Sequence, residues 1–527
     1  MRSMTKYTTL YHPVSTTFLC LMLMACGSHP SRYSSMEIAS QPASLAEKTF
    51  NRPPAQRENY AQFSDNPLKL ASEQSVSTFS IDVDTAAYAN VRRFINHGQL
   101  PPAEAVRVEE LINYFDYDYP LPENADQPFH VLTEIGPAPW NANTQLLHIG
   151  IKAYDYPDKH RRAKNLVFLI DVSGSMHDAN KLGLLKQSFG LLVKQLNAQD
   201  RVAIVVYAGA SGVVLTPTPG DQATTIINAL DQLQAGGSTN GAAGIQLAYQ
   251  MAEQAFIKDG INRVILATDG DFNVGPSSVE ELKQLIRAKK KTGTGLTVLG
   301  FGMGNYNDHL MEVLSNQGDG NAAYIDTLQE AQKVLVHDIN ATLDTVAKDT
   351  KIQIEFNPSL VAEYRLIGYE NRMLQREDFN NDKVDAGDIG AGHTVTALYE
   401  LTLVGQAGRR IDPLRYSSAQ NLATNQQAQE LGFLNIRYKR PNQNSSQLLS
   451  QAIAKPNLNT TLKQTSQQFR FAAAVAAFGQ QLRDGKYLQD YSYDQILNLA
   501  QSNRGQDPFG YRHEFIRLVD LVKTLEK

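Results

Sequence analysis

Asp171, Ser173 and Ser175 occupy alternate positions just past the apolar run Leu166-Val167-Phe168-Leu169-Ile170. One carboxylate and two hydroxyls at the end of a buried strand form a row of hard oxygen donors. Such a row suits Mg2+, Mn2+ or Ca2+ rather than zinc or copper. Alternation puts the three side chains on one side if the turn stays extended, and the carboxyl end of a strand is where open α/β sheets build ligand sites. Two later segments enlarge the set. Gly236-Gly237-Ser238-Thr239-Asn240-Gly241 offers the Thr239 hydroxyl on a glycine-loosened loop, and Val264-Ile265-Leu266-Ala267-Thr268-Asp269-Gly270 ends a second apolar run on the Asp269 carboxylate. Neutral hydroxyls and a few carboxylates leave a divalent cation incompletely neutralised. Mg2+ keeps waters wherever the protein does not fill its shell, and an exchangeable water is a socket for an external carboxylate. Hydrolysis at the same cation would need a base beside it. His177 and Asp178 are the nearest candidates, and their position predicts ordinary residues at the start of the next helix.

An Asp-x-Ser-x-Ser turn alone is a common capping sequence. The three motifs together, in this order and within one α/β stretch, resemble the von Willebrand factor A (VWA) domain and match its metal-ion-dependent adhesion site. The resemblance implies that Ser173, Ser175 and Thr239 coordinate the cation, with Asp171 and Asp269 contributing directly or through water. It also implies that the open position is filled by an acidic side chain of a partner protein.

The elements that must position these residues follow from the apolar patterning. Arg201–Tyr207, Val264–Asp269 and Leu296–Phe301 are short, apolar and flanked by Gly or Asp, as buried parallel strands are. Helical stretches such as Lys181–Leu196, Ala242–Phe256 and Val279–Lys290 alternate with them, giving a doubly wound, Rossmann-like α/β sheet. On either side the rhythm changes to strands. Phe129–Ile135 and Leu146–Ile151 precede the unit, and Lys351–Phe356, Tyr364–Tyr369, Thr394–Leu403 and Phe433–Tyr438 follow it. Lys351-Ile352-Gln353-Ile354-Glu355-Phe356 alternates as a half-buried antiparallel strand does. The fold class expected is therefore α/β, a VWA domain inserted in a β-sandwich, with helical segments at both ends.

The expected organisation is a lipoprotein signal peptide over 1–25, a flexible tether over 26–75 and a helical N-terminal segment over 76–125. The first part of the sandwich spans 126–160, the VWA domain 161–348 and the second part of the sandwich 349–445. A helical C-terminal domain covers 446–527. Phe471, Val475 and Phe478 are spaced as one buried helical stripe. Ser80-Ile81-Asp82-Val83-Asp84-Thr85-Ala86-Ala87-Tyr88, Arg365-Leu366-Ile367-Gly368-Tyr369-Glu370-Asn371-Arg372 and Phe469-Arg470-Phe471-Ala472-Ala473-Ala474-Val475-Ala476 resemble one family of bacterial VWA lipoproteins. That family carries a distinctive N-terminal segment and a C-terminal domain of unassigned function.

Leu23-Met24-Ala25-Cys26, after a basic start and a short apolar core, resembles a lipobox, which implies lipidation of Cys26 and attachment to a membrane. Gly27, rather than Asp, would direct an enteric-type lipoprotein to the outer membrane. Cys20 and Cys26 are the only cysteines, so a mature chain lipidated at Cys26 has no thiol for zinc, disulfide or nucleophilic chemistry. A tether over 26–75 has an r.m.s. reach of roughly 40 Å. The net charge of −5 over 527 residues gives no nucleic-acid footprint.

Two other functions are compatible with parts of the sequence. Asp82-Val83-Asp84-Thr85 partly fits the nucleophile turn of haloacid-dehalogenase-like phosphatases, although the Thr falls one place early and no βαβ unit follows. A helix N-cap by Asp84 or Thr85 accounts for the same residues more simply. An envelope assembly or scaffold factor would use the sandwich and helices without the metal. Neither His-Glu-x-x-His nor Gly-x-Ser-x-Gly occurs. The leading expectation is a non-enzymatic, membrane-anchored envelope protein that binds an acidic protein partner through Mg2+, or Mn2+ or Ca2+ in its place.

Overall fold

The computed structural model describes residues 58–526 apart from 82–83, 125, 158–160, 240, 271–278, 413–428, 442 and 444. The segment expected to be a signal peptide and Cys26 lie outside the described residues. Among the described residues sixteen strands form three sheets: β1 (Lys69–Leu70), β2 (Val76–Ser80), β3 (Phe129–Ala138), β4 (Asn141–Ala153), β5 (Lys164–Asp171), β6 (Arg201–Tyr207), β7 (Ser211–Pro219), β8 (Ile261–Thr268), β9 (Thr294–Phe301), β10 (Ala322–Ile325), β11 (Thr345–Phe356), β12 (Val361–Ile367), β13 (Gly387–Gly390), β14 (Thr394–Leu403), β15 (Glu430–Lys439) and β16 (Ser446–Ala454).

The central sheet has the order β10-β9-β8-β5-β6-β7. All neighbours pair in parallel except β6 and β7. The chain builds outward from β5 through β6 and β7, then returns to β8 on the other side of β5. The strand order therefore switches between β5 and β8. Period-2 alternation explains why both faces are covered: Leu166, Phe168 and Ile170 pack into one helical layer, Val167 and Leu169 into the other. Phe168 stacks on Phe189 of the helix Leu184–Val193 at 4.1 Å between ring centroids.

This α/β unit is inserted in a sandwich of sheets β1-β12-β14-β4-β3 and β13-β11-β15-β16, with β2 also paired to β11. Phe79, Ile352 and Ile354 from one sheet meet Leu147, Ile149 and Tyr399 from the other. The opposite face of the first sheet is covered too. Leu146, Ile367 and Leu398 point into a helical layer built from both ends of the chain. There Phe115, after the helix Val108–Asn113, packs edge-on against Phe471 of Gln467–Gln481 and Phe515 of Tyr511–Leu525, at 5.2 and 5.6 Å. Because both faces of this sheet are buried, β14 is buried along its whole length.

Several expected boundaries move. Residues 58–75 belong to the folded part rather than to a tether: Glu58 pairs with Arg93, Asn59 bridges to Asn307, and β1 pairs with β12. β2 lies within the segment expected to be helical, yet it is a sandwich strand, held on β11 by the Ile352–Phe79 register. β16 likewise falls in the expected C-terminal helical part but pairs with β15. The N- and C-terminal helices are one layer with one core, not two bodies. Buried charge ties that layer to the α/β unit. Arg92, on the helix Ala86–Asn96, contacts Asp326, Glu330 and Glu514, while Arg107 contacts Glu110 and Asp308.

Candidate metal centre

β5 delivers Asp171 to the rim of the sheet where the strand order switches, and β8 delivers Thr268 and Asp269 beside it. A crevice at the carboxyl ends of strands flanking such a switch is the ordinary ligand site of open α/β sheets. The turn after β5 is not extended. Residues Gly174–His177 wind into a 3-10 turn, so the convergence of the serines comes from this turn and not from strand alternation. The hydroxyls of Ser173 and Ser175 lie 3.0 Å apart. Ser173 donates its backbone N–H to Asp171 Oδ1 at 2.9 Å, and Ser175 donates its hydroxyl to Asp269. Asp171, Ser173, Ser175 and Asp269 thus form one linked set. Asp171, Ser173 and Asp269 are buried and Ser175 is half-buried, so the set opens to solvent at Ser175.

The loop bearing Thr239 is pinned against this turn. Gly236 N–H donates to Val172 O at 2.7 Å and Gly174 N–H donates to Gly237 O at 3.0 Å. Thr239, two residues on, is half-buried. His177 and Asp178 are both exposed.

The sequence reading missed the supports of these carboxylates. Tyr207 and Thr268 each donate a hydroxyl to Asp171 Oδ2 at 3.1 Å. More consequentially, Lys181 is buried and its Nζ stands 2.9 Å from Asp269 Oδ2 and 3.2 Å from Asn305 Oδ1. In the sequence Lys181 marks only the first turn of the expected helix Lys181–Leu196. That turn, Ala179–Gly183, is π-wound, a local winding often found at functional sites. The Lys181 stem lies over Gly302, where φ is +73° and an added Cβ would come within 2.4 Å of Lys181 Cε. Gly270 is equally constrained: φ is +97° and a Cβ would meet the Asn307 amide at 2.5 Å. No local sequence signal marks Lys181, whereas Thr268 stands next to Asp269 and Tyr207 ends an apolar strand as Asp171 does.

The two carboxylates differ electrostatically. Burial, reinforced by the nearby Asp269 charge and opposed by the Ser173 and Thr268 hydrogen bonds, pushes Asp171 up to about 6. Burial acts in the same direction on Asp269, but the hydrogen bonds and charge of Lys181, with Asn305 and Ser175, outweigh it and hold Asp269 below the ordinary carboxylate range. The site therefore pairs a carboxyl that gains from a nearby positive charge with a carboxylate already holding one. Among the described residues no cluster of three or more His, Cys, Asp or Glu side chains could hold a metal. This set instead combines two carboxylates with hydroxyls, a chemistry matched to Mg2+, Mn2+ or Ca2+.

The second carboxylate motif has another role. Asp84 accepts the Ala322 N–H at 2.8 Å and pairs with Arg372 at 3.1 Å, joining β10 to the residues after β12. Thr85 holds the N-cap position of Ala86–Asn96 without a side-chain cap bond, so the expected capping by Asp84 or Thr85 is replaced by this tertiary link. Asp82 lies outside the described residues.

Comparison with known proteins gives the same central unit. Residues 166–271 match the family described as von Willebrand factor type A domain, residues 54–148 one described as von Willebrand factor, and residues 341–525 one described as "Uncharacterized protein YfbK, C-terminal". The Escherichia coli (strain K12) protein YfbK is 50% identical over 469 residues, covering 88% of this chain and 80% of that protein. The chain belongs to the YfbK family. It is a VWA-containing protein with a YfbK-type C-terminal domain. The 54–148 match falls on β1 to β4 and the helices between them, not on a second α/β unit. Human inter-alpha-trypsin inhibitor heavy chain H3 is 25% identical over 264 residues, covering 46% of this chain and 28% of that protein. A solved von Willebrand factor type A protein from Catenulispora acidiphila is 15% identical with a TM-score of 0.41, covering 76% of this chain and 90% of that one.

Proposed function

We propose that this VWA-containing protein is an envelope lipoprotein, anchored through Cys26, that captures an acidic side chain of a partner protein on a divalent cation. Ser173, Ser175 and Thr239 would hold the cation, with Asp171 and Asp269 in support. The observation that carries the reading is the linked chain Asp171–Ser173–Ser175–Asp269 at the switch point, buried at its carboxylates and at Ser173 and reached from solvent at Ser175. A cation there would supply a Lewis-acidic position to an external carboxylate. The chain's own residues orient the donors: Tyr207 and Thr268 fix Asp171, and the Gly236–Gly237 backbone fixes the loop that carries Thr239. Protein–protein interaction is the coarse function that the VWA domain implies, and the cation, the anchor and the acidic partner are finer steps within it.

The test is a pull-down from envelope extract with and without EDTA, run beside Ser173→Ala/Ser175→Ala and Thr239→Ala. Capture is expected to need divalent cation, to fail in the variants and to be competed by an acidic but not a basic peptide. Capture indifferent to chelation and to these substitutions would replace this reading with that of a metal-independent scaffold.

A further inference from the structure

At the opposite edge of the central sheet from Asp171 and Asp269, a cavity of about 230 Å³ lies among the amino ends of β8 and β9 and the start of β11. Its lining includes four cations: Arg162, Arg263, Lys290 and Lys348. Three of them already have carboxylate partners. Arg162 pairs with Asp344, Lys290 with Asp319 and Asp385, and Lys348 with Asp319. Asp319 also lines the cavity, and the exposed Asp259 stands on its rim.

Arg263 is different. It is 6% exposed, and its Nη1 donates to Thr297 Oγ1 and to the Asp319 carbonyl, both at 3.0 Å. Among the described residues no carboxylate forms an ion pair with it, and its Nε has no hydrogen-bond partner. The hydrogen bonds of this buried guanidinium go to neutral oxygens alone. Burying such a charge without a counter-ion is costly, and burial correspondingly lowers its proton affinity despite Asp319, Asp388 and Asp344 nearby. The place for a counter-ion is the cavity that Arg263 lines.

We propose that this cavity binds a small phosphate-class oxyanion, held by Arg263 and flanked by Arg162, Lys290 and Lys348. A guanidinium presents a planar fork of donors that matches oxyanions. Donors arriving from several elements favour a tetrahedral group with three or four oxygens over a flat carboxylate with two. The volume fits orthophosphate, pyrophosphate or the phosphate end of a small metabolite. Arg162 stands in the connection that enters the α/β unit from β4, and Lys348 in the strand that leaves it. An anion bonded by both therefore fastens the inserted unit to the sandwich. This inference does not depend on the cation site, which lies at the other end of the strands.

The test is calorimetric titration of the full chain with orthophosphate, pyrophosphate and citrate at constant ionic strength, in buffer depleted of metal by a chelating resin. Pyrophosphate or orthophosphate should bind saturably. The affinity should fall at least tenfold in Arg162→Ala and in Lys348→Ala, whose side chains are partly exposed. Arg263→Gln should abolish binding, and Ser173→Ala/Ser175→Ala should leave it unchanged. Absence of saturable phosphate binding, binding equally strong in Arg162→Ala and Lys348→Ala, or binding of citrate alone would each overturn the proposal.

Discussion

Replacing Lys181 by Met should make the stability of the protein depend on divalent cation. The ammonium is 2.9 Å from Asp269 Oδ2, with side-chain exposures of 7% and 0%. At that separation the gross attraction is about 6 kcal/mol for an effective dielectric constant near 20. Desolvation of both groups cancels much of it, but removing one partner of a buried pair leaves the other uncompensated, at roughly 3–5 kcal/mol. Met keeps the length of the stem over Gly302, so the loss is chiefly one of charge. In metal-depleted buffer the variant should melt roughly 3–5 °C below wild type, taking about 1 °C per kcal/mol for a compact unit that spans Pro54–Lys527. Saturating Mg2+ should restore most of the difference, because the cation supplies the positive charge that Asp269 has lost. Wild type should respond less, since Lys181 already balances Asp269. Thermal melts of both proteins across a Mg2+ titration measure this. A variant that melts with wild type in depleted buffer, or whose deficit is indifferent to Mg2+, would refute the argument that Lys181 and the cation serve the same carboxylate.

The raised Asp171 carboxyl should make the proposed cation binding pH-dependent. A group whose folded value stands above the ordinary 3.8, at about 6, stabilises the cation-free fold when protonated. That contribution, up to roughly 3 kcal/mol, is lost as pH rises from about 3.8 through 6. A bound cation reverses the preference, so Mg2+ affinity measured by calorimetry should fall about tenfold per pH unit below pH 6. Affinity flat from pH 5 to 7 would show that Asp171 does not support the ion. Cys26→Ser should release the protein from the membrane fraction or leave it unprocessed, read by fractionation and N-terminal mass. A wild-type protein found soluble with some other first residue would sink the anchor.

The donors of the candidate site were legible because their types are unusual together: a carboxylate and two hydroxyls after one apolar run, a threonine in a glycine-rich loop, and a second carboxylate at the end of another apolar run. The α/β rhythm was legible for a similar reason, since strands buried on both faces read as continuous apolar runs such as Leu166–Ile170. The sandwich was legible from alternation, as in Lys351–Phe356. Burial pattern is a local property of sequence, and so the sequence alone determined the insertion of a doubly wound unit into a sandwich.

What required the tertiary structure is what depends on distant partners. β1, β2 and β16 are short or weakly patterned strands, and only pairing with β12, β11 and β15 makes them strands. The terminal helices read as two bodies because their stripes are 350 residues or so apart in sequence, yet Phe115, Phe471 and Phe515 share one core. Asp84 resembled a cap and proved to be a tertiary link to β10 and Arg372. Lys181 looked like any helical lysine, and only the approach of β8 and the Gly302 loop turns it into the counter-ion of Asp269. The burial of Arg263 without an ion pair likewise exists only once the fold has formed. Residue type and spacing fix which groups are offered, while long-range packing decides which of them meet, because burial and pairing are properties of neighbours that the chain brings together only on folding.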